Sequence, residues 1–391
     1  MAIRIALYSH DSVGLGHVRR NLAIAHALTE SLPALTGEEV TGLLITGQPV
    51  ATSFDTPAGW DWLVLPGIEP GSRGYVPRHL TIGMEPLAAV RGGIITAALA
   101  AFAPDLVVID RHAHGVHGEL TGALQWLRDH RPECMTVLGL RDLLDQPAAT
   151  VAEWRALGGA VSVRRSFDQI WVYGDPAVHD ISVSGEMPAG LRPLVRHTGY
   201  LSHGRRATAR GVGDGDFVFT TVGGGSDGHA LASAAAQVAL PAGVAHVVVT
   251  GPEMPAKERR AIRAAAAPGT TVRKKVPDAL GYMQKARAVI SMGGYNTVAE
   301  AMSTTTPVLV VPRSARRQEQ KLRAAALAGI GAIDTISTAE ATPAALSDWV
   351  ARVIGTQVHR AGVDLGGLEA VGSIAADLLA TRDREVIGRA G

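Results

Sequence analysis

The sequence predicts an α/β fold made of two doubly wound, Rossmann-like domains. Nine short apolar runs, rich in β-branched residues and separated by helical patterns, extend along the chain, which is typical of parallel sheets covered by helices on both faces. The run at 217–222 enters a glycine-rich loop and a helix, as the run at 3–9 does, so the series starts again after residue 200. The other runs are 40–46, 105–110, 135–140, 169–174, 246–251, 288–293 and 307–312.

Length and composition support this division. The 391 residues, 47% of them hydrophobic, supply enough apolar material for two cores. We therefore place an N-terminal domain at 1–200, a C-terminal domain at 201–363 and a final helical segment at 364–391, with a hinge within 196–215. Ligands of doubly wound sheets bind at the carboxyl ends of the strands, so we expect the domains to face a central cleft.

Several functional classes are disfavoured. A net charge of +1 and an aromatic content of 4% give no argument for nucleic acid as a partner. Cys134 is the single cysteine, so we expect no intrachain disulfide and a cytoplasmic location. We expect no signal peptide, because the N-terminus, MAIRIALYSH, enters a strand without a charged n-region followed by an apolar h-region. We expect no transmembrane span, because the apolar run 92–104 is too short and the run 228–252 is broken by Pro241 and Gly243.

The loop after the first predicted strand, residues 9–21, reads SHDSVGLGHVRRN. Gly14 and Gly16 permit a tight turn, but a third glycine is missing, so the loop is a weak dinucleotide-binding fingerprint. His17 stands at the start of the following helix, where the helix N-terminus is expected to lower the pKa of its imidazole. Simple capping of the helix would also explain this histidine.

The most informative segment is 291–320, SMGGYNTVAEAMSTTTPVLVVPRSARRQEQ. Gly293 and Gly294 allow close backbone approach, and the helix predicted to open near Asn296 presents N–H groups that favour a phosphate. Glu300 follows about one helical turn later, where a carboxylate suits a ribose diol. The pattern predicts a nucleoside diphosphate site, although a glycine pair also makes ordinary strand-to-helix turns.

This segment resembles the donor-binding motif of GT-B glycosyltransferases. The loop with Gly16 and His17 is similar to that of the members acting on lipid intermediates of peptidoglycan and on plastid galactolipids. The resemblance implies a GT-B fold, with a last helix that crosses back to the first domain. The matching positions of the motif are Gly294, Asn296, Thr297, Glu300, Pro307, Pro312, Glu319, Gln320 and Ala324.

The resemblance also implies a chemistry. A nucleoside diphosphate sugar, UDP-linked by default, is the co-substrate, and neither a cofactor nor a metal is needed. His17 is the expected general base, with Asp11 orienting or replacing it. Met292 occupies the position where a large class of retaining enzymes carries a glutamate, so we expect inversion at the anomeric carbon.

The resemblance also implies which residues contact the donor. Glu300 is expected to hold the ribose, Glu319 and Gln320 the sugar, and the backbone at Val276 with the side chain of Met283 the nucleobase. A basic residue near the motif, Arg313, Arg316 or Arg317, could face the diphosphate. The residues expected around the diphosphate are Gly223, Gly224, Gly225 and Ser226 of the second glycine loop, together with Gly293, Gly294, Tyr295, Asn296 and Thr297.

The acceptor is less defined: it is either a small molecule or a lipid-linked compound, and it offers a hydroxyl or an amine. Gly16, His112 and Arg141 are expected on the acceptor side. A metal site is an alternative for the cluster around His112, and a peripheral membrane surface is an alternative to a packed helix at 80–102. The residues behind these two alternatives are Asp110, His112, His114, His117 and Glu119 for the metal, and Arg73, Arg78 and Arg91 for the membrane.

Two rival functions remain open for the whole chain. A nucleotide-sugar hydrolase would share the donor site and use His17 to activate water. A non-catalytic nucleotide-sugar binding protein would keep Glu300 and the glycine loops and have no need of His17.

Overall fold

A computed structural model describes residues 2–10, 14–72, 74–313 and 318–390. The chain forms two compact units. The first comprises Met1–Pro176, Asp180–Gly204 and Gly366–Gly391, and the second comprises Ala177–His179 and Arg205–Leu365.

The first unit is built on a parallel sheet of seven strands in the order β3-β2-β1-β6-β7-β8-β9. A separate antiparallel hairpin, β4–β5, follows β3. The strands are β1 (Ile3–Tyr8), β2 (Val40–Thr46), β3 (Trp60–Val64), β4 (Ile68–Gly71), β5 (Gly74–Pro77), β6 (Leu106–Asp110), β7 (Met135–Arg141), β8 (Gln169–Tyr173) and β9 (Val195–His197). The helices are α1 (Gly16–Thr36), α2 (Met84–Phe102), α3 (Thr121–His130), α4 (Pro147–Ala156) and α5 (Gly159–Ser166).

The second unit repeats the plan with six parallel strands in the order β12-β11-β10-β13-β14-β15. Its strands are β10 (Phe217–Thr221), β11 (Ala245–Val249), β12 (Thr270–Arg273), β13 (Ala288–Ser291), β14 (Val308–Val310) and β15 (Asp334–Thr335). Its helices are α6 (His229–Ala236), α7 (Ala256–Ala264), α8 (Ala279–Lys285), α9 (Tyr295–Met302), α10 (Glu319–Gly329) and α11 (Pro343–Val353).

The last helix, α12 (Gly367–Ala390), belongs to the first unit and packs on α1. A small residue permits the close approach to α1, because a Cβ on Gly372 would lie 2.0 Å from the Oγ atom of Ser31. At the start of α12, a Cβ on Gly367 would meet the backbone of Tyr200 at 2.7 Å. The chain therefore returns to the first unit after completing the second.

The α/β class is confirmed, and each of the nine predicted runs forms a strand, mostly ending one or two residues earlier than predicted. Strands β3, β9, β12, β15 and the hairpin were not predicted. All but the hairpin are edge strands of the two sheets. They are short and have polar or exposed positions, so they lack the continuous apolar signal of a central strand. Every residue of β6, by contrast, is buried.

Helix α2 packs into the first unit through a stripe of buried residues that includes Leu87, Arg91, Ile95 and Leu99. Arg91 is fully buried, and its guanidinium pairs with Glu119 and donates to the carbonyl oxygen of Pro66 at 2.6 Å. Arg91 therefore does not present a charge to lipid, which corrects one part of the membrane alternative. Among the described residues, α2 is the one helix long and apolar enough to suit a span, a test that core helices also pass.

Candidate functional site

In the first unit, the candidate site lies where the strand order changes direction. β1 pairs with β2 on one side and β6 on the other, so the loops after β1 and β6 leave the same edge of the sheet side by side. His17 is the second residue of α1, after the first loop, and Asp110 is the last residue of β6. The topology thus brings together two residues 93 positions apart.

Asp110 is the partner of His17. The Nδ1 atom of His17 lies 2.9 Å from Oδ2 of Asp110, and Nη2 of Arg20 lies 2.5 Å from the same oxygen. Asp110 is fully buried and the Arg20 side chain is 2% exposed, whereas the imidazole of His17 keeps 19% of its surface accessible. One face of this buried triad therefore remains reachable through His17.

The charge states follow from these contacts. Burial alone would raise the pKa of Asp110, but Arg20 and His17 outweigh it and hold that pKa at about 2. Burial lowers the pKa of His17, and Arg20 and Arg141 lower it further, against the opposing influence of Asp110. At neutral pH the carboxylate is therefore charged and the imidazole is neutral.

The tautomer of His17 can then be assigned. An ionised carboxylate only accepts hydrogen bonds, so Nδ1 carries the proton and donates to Asp110. Nη2 of Arg20, 3.0 Å from Nδ1, is also a donor, and its bond goes to Asp110 rather than to the ring. This arrangement leaves the lone pair of His17 on Nε2, which is the form required of a base.

Two more histidines complete the cluster. The ring of His10 lies 3.7 Å from that of His112 and 5.5 Å from that of His17, measured between centroids. The Nε2 atom of His10 is 2.9 Å from the hydroxyl of Tyr75 on β5. Burial is the main cause that lowers the pKa of His10 to about 2, so this ring is neutral as well.

In the second unit, the corresponding edge carries the Gly293–Gly294 turn. Gly293 has a φ of 83°, and a Cβ there would lie 2.7 Å from a methyl carbon of Val310. Helix α9 begins at Tyr295 and its N-cap is Gly294, which has no side chain to occupy the first N–H groups. Arg323 of α10 is 1% exposed and donates to the carbonyl oxygen of Gly293 at 3.1 Å, so a buried side chain holds the turn in place.

The second glycine loop follows β10 and packs on the loop after β11. A Cβ on Gly225 would lie 2.1 Å from the carbonyl oxygen of Thr250, and one on Gly251 would lie 2.3 Å from that of Gly224. Gly225 is therefore required by the fold itself. Gly223 and Ser226 are exposed at the tip of this loop.

Glu300 lies in the second turn of α9 and is 3% exposed. Its Oε1 atom accepts a hydrogen bond from Nη1 of Arg205 at 3.2 Å, and Nη2 of Arg205 donates to Oδ1 of Asn296 at 3.1 Å. One guanidinium thus bridges the two predicted donor residues.

Arg205 begins a segment that is fixed to the second unit. The backbone N–H groups of Thr208 and Ala209 donate to Oδ2 of Asp278 at 2.5 and 2.8 Å, and the hydroxyl of Tyr282 bonds to the carbonyl oxygen of Gly211. Residues 205–211 therefore lie against α8 and α9. The hinge predicted within 196–215 cannot include this anchored part as a freely moving linker.

Arg313 connects the remaining predicted residues. Its guanidinium pairs with Oε1 of Glu319 at 2.6 Å and with Asp227 of the second glycine loop at 3.4 Å, and its backbone N–H donates to Oε1 of Gln320 at 3.2 Å. Glu319 and Gln320 open α10 and are 2% and 8% exposed. Both glycine loops and the acidic-Gln pair consequently lie around one edge of the sheet.

Residues 219–357 match the family model of the glycosyltransferase family 28 C-terminal domain. The matched stretch lies within the second unit, which is therefore similar to this family's C-terminal domain. The match covers both glycine loops, Glu300, Glu319 and Gln320, whereas His17 and Asp110 lie outside it. Curated proteins give no sequence match to the chain.

Solved structures show the fold of the chain. MurG from Acinetobacter baumannii is 15% identical over 97% of this chain and 99% of its own, with a TM-score of 0.54. Glycosyltransferase VinC, solved with dTDP, is 16% identical over 98% of this chain and 100% of its own, with a TM-score of 0.59. A provisionally assigned UDP-N-acetylglucosamine 2-epimerase from Listeria monocytogenes is 14% identical over 98% of both chains, with a TM-score of 0.64. The fold is that of the GT-B glycosyltransferases.

Not every predicted residue joins the site. Met283 on α8 is fully buried in the second unit, so its side chain cannot contact a nucleobase, and that prediction is wrong. Val276 is half-buried in the loop between β12 and α8, while Gly16 is exposed and Arg141 half-buried at the carboxyl edge of the first sheet. Asp11, Arg73, Arg316 and Arg317 lie outside the described residues.

The cluster considered for a metal is divided between two ion pairs. Asp110 binds Arg20 and His17, whereas Glu119 is occupied by Arg91 and the hydroxyl of Tyr8. Within the described parts of the chain, no group of three or more His, Cys, Asp or Glu side chains has an arrangement suited to a metal ion.

Sequence reasoning missed Asp110 as the partner of His17, and it missed Arg20, Arg205 and Arg323 altogether. Arg20 had a local signal, because residues three apart share a helix face. Asp110 had a topological signal, since it ends a strand that neighbours the first. Arg205 and Arg323 had none that a single sequence reveals.

Proposed function

We propose that the protein is an inverting glycosyltransferase that moves a sugar from a nucleoside diphosphate sugar, UDP-linked by default, to an acceptor hydroxyl. The family 28 match supports the donor class, and the fold alone would not, since a structure assigned as an epimerase shares it. The observation that carries the catalytic part is the contact between Nδ1 of His17 and Asp110 at 2.9 Å.

The chemistry follows from that contact. Nε2 of His17 takes the proton of the acceptor hydroxyl, while the oxygen of that hydroxyl forms a bond to the anomeric carbon of the donor sugar. The bond from this carbon to the diphosphate oxygen breaks in the same step, and the nucleoside diphosphate leaves with the electron pair. Asp110 stabilises the imidazolium that forms, as a buried carboxylate does for a catalytic histidine.

The donor is assigned to the second unit. The first N–H groups of α9, capped by no side chain at Gly294, face the departing diphosphate, with Gly223 and Ser226 at the other loop. Glu300 holds the ribose, with Arg205 orienting its carboxylate. No metal takes part in this proposal, so chelator should leave activity unchanged.

The test begins with thermal shifts against UDP, GDP, TDP, ADP, CMP and NAD. Stabilisation by one nucleoside diphosphate defines the donor for an acceptor screen read by mass spectrometry, and NMR of the product gives the anomeric configuration. A shift with NAD alone, or with none of these compounds, contradicts the donor assignment. Release of free sugar without any acceptor would instead identify a hydrolase.

Two variants separate binding from chemistry. Glu300→Gln leaves Arg205 an acceptor but removes the charge, and should weaken nucleotide binding by about 1–3 kcal/mol. His17→Ala should bind nucleotide normally and lose transfer. A nucleotide affinity unchanged in Glu300→Gln would contradict the ribose assignment, and transfer retained in His17→Ala would contradict the base.

A further inference from the structure

The backbone immediately after Asp110 has an unusual conformation. Arg111 has a φ of 71°, in the left-handed region that residues with a side chain seldom adopt. The N–H of His112 donates to the carbonyl oxygen of Asp110 at 2.9 Å. An i to i+2 hydrogen bond around a residue of positive φ is a γ-turn of the rare, strained kind.

This turn sets the geometry of the histidine cluster. It ends β6 at Asp110, whose carboxylate meets His17, and it folds His112 back onto the ring of His10. The N–H of Arg111 still donates to the carbonyl oxygen of Gly139 at 2.8 Å, so the turn is held against β7 by its backbone. A relaxed backbone here would move Asp110 and His112 together.

The side chain of Arg111 supplies a second restraint. Its Nη2 atom lies 2.6 Å from Oε2 of Glu153 on α4, and the two side chains are 8% and 36% exposed. Strained backbone persists only where its surroundings determine it, and such strain concentrates at functional sites. The ion pair thus connects the more exposed Glu153 on α4 to Arg111, the central residue of the turn.

We propose that Arg111 is a positioning residue, whose ion pair with Glu153 holds the γ-turn and thereby keeps Asp110 in register with His17. The inference rests on the proposed function, which gives His17 and Asp110 their chemical task. Arg111 acts through Asp110 and does not contact the reacting atoms.

Three substitutions isolate this role. Arg111→Ala removes the anchor and leaves a strained residue, whereas Arg111→Gly removes the anchor and also the strain, because glycine adopts a positive φ readily. Glu153→Gln removes the charge of the anchor and leaves Arg111 in place. Glu133→Gln is the matched control, since Glu133 pairs with Arg131 in the same unit and is 33% exposed.

The primary readout is independent of turnover: the pKa of His17 by NMR, assigned through the signal lost in His17→Gln. Asp110 raises that pKa against burial, Arg20 and Arg141, so displacing Asp110 should lower it. We expect the lowest value in Arg111→Ala, smaller shifts in Arg111→Gly and Glu153→Gln, and none in Glu133→Gln. Equal values in the wild type and Arg111→Ala would overturn the proposal.

Kinetics give the second readout once a donor and acceptor are known. Arg111→Ala should lower kcat by about tenfold to a hundredfold, as a small misplacement of a catalytic group does, with nucleotide affinity unchanged. Arg111→Gly should retain more activity than Arg111→Ala, whereas equal losses in both would indicate direct substrate contact and contradict the proposal. If the wild type used no nucleotide sugar, the proposed function would be contradicted. The NMR comparison of the His17 pKa would still test whether Arg111 positions Asp110.

Discussion

At the scale of single residues, two glycines of the second unit are explained by different physical requirements. Gly225 has a φ of 94° and no room for a Cβ, so the fold requires it. Gly294 has a φ of −62°, and a Cβ on it would find no heavy atom within 4 Å. The protein's own packing does not require a glycine at 294, which fits a surface approached by a ligand.

We therefore predict that Gly294→Ala keeps the stability of the wild type within about 0.5 kcal/mol. The added methyl group should lie where the diphosphate approaches the start of α9 and weaken nucleotide binding at least about tenfold, or about 1.4 kcal/mol. Calorimetric titration with the nucleotide and urea unfolding would measure the two effects. Gly225→Ala, the control, should lose stability instead, and normal nucleotide affinity in Gly294→Ala would contradict the assignment.

Arg360 shows a charged residue used for structure. It is 8% exposed and donates to the carbonyl oxygens of Ala332 and Thr306 at 2.8 and 2.9 Å, and also to that of Thr304. These carbonyls lie just beyond the ends of α9 and α10. Burial lowers the pKa of the guanidinium to about 10, which leaves it charged at neutral pH.

Replacing Arg360 with Met keeps much of the volume and removes all the donors. Because buried carbonyl groups would lose their partners, we predict a loss of about 2–4 kcal/mol in the free energy of unfolding. Arg352→Met, on the exposed face of α11, should change it by less than about 0.5 kcal/mol. Urea denaturation compares the two variants, and similar midpoints would show that the Arg360 bonds contribute little.

At the scale of elements, the contact of α12 with α1 depends on a missing side chain. A Cβ on Gly372 would lie 2.0 Å from Oγ and 2.7 Å from Cβ of Ser31. We predict that Gly372→Ala destabilises the protein by about 1–3 kcal/mol through overpacking. Gly93→Ala on α2, where a Cβ meets nothing within 4 Å, should be neutral or stabilising because alanine favours helix.

Ser31→Gly makes room for the added methyl group and tests the contact directly. The double variant should be more stable than the sum of the two single effects, since the steric conflict is removed. A double-mutant cycle of urea midpoints measures this coupling. Strict additivity would mean that α12 shifts away from α1 and that the contact at Gly372 does not limit the packing.

The elements also show what a single sequence can predict. The central strands were predicted because burial on both faces gives continuous apolar runs, and β6 is an example. The border strand β15 has two residues, too few for any pattern. Met283 was assigned to a base pocket because its chemistry fits one, but composition does not reveal that this face of α8 points into the core.

At the scale of the whole molecule, the site illustrates a limit set by distance along the chain. The motif at 291–320 is local, and the structure keeps its glycine turn and acidic-Gln pair together through Arg313 and Arg323. The pairing of His17 with Asp110 depends on β1 lying next to β6. Local spacing could not supply that neighbour, so the sequence places Asp110 only in an acceptor-side loop, with a metal cluster as the alternative.

Buried histidines in both units make stability depend on pH. Burial lowers the pKa of His246 from 6.5 to about 4, and His10 and His17 have lowered pKa values as well. Below pH 6.5 the unfolded chain takes up protons at these positions while the folded protein does not, so stability falls as the pH falls. The pKa of Asp110 is near 2 in the folded protein, so its contribution to stability is lost only below about pH 3.8. It does not offset the loss of stability caused by the histidines above that pH.

We predict that His246 alone accounts for about 2 kcal/mol of the stability lost between pH 7 and pH 5. His246 is fully buried beside the hydroxyl of Thr220, 2.8 Å away, whereas His130 is exposed on α3. Urea unfolding at both pH values should show a flatter pH dependence for His246→Asn, whatever its stability at pH 7, and an unaltered one for His130→Asn. The same pH dependence in wild type and His246→Asn would mean that His246 becomes protonated in the folded protein near its ordinary pKa.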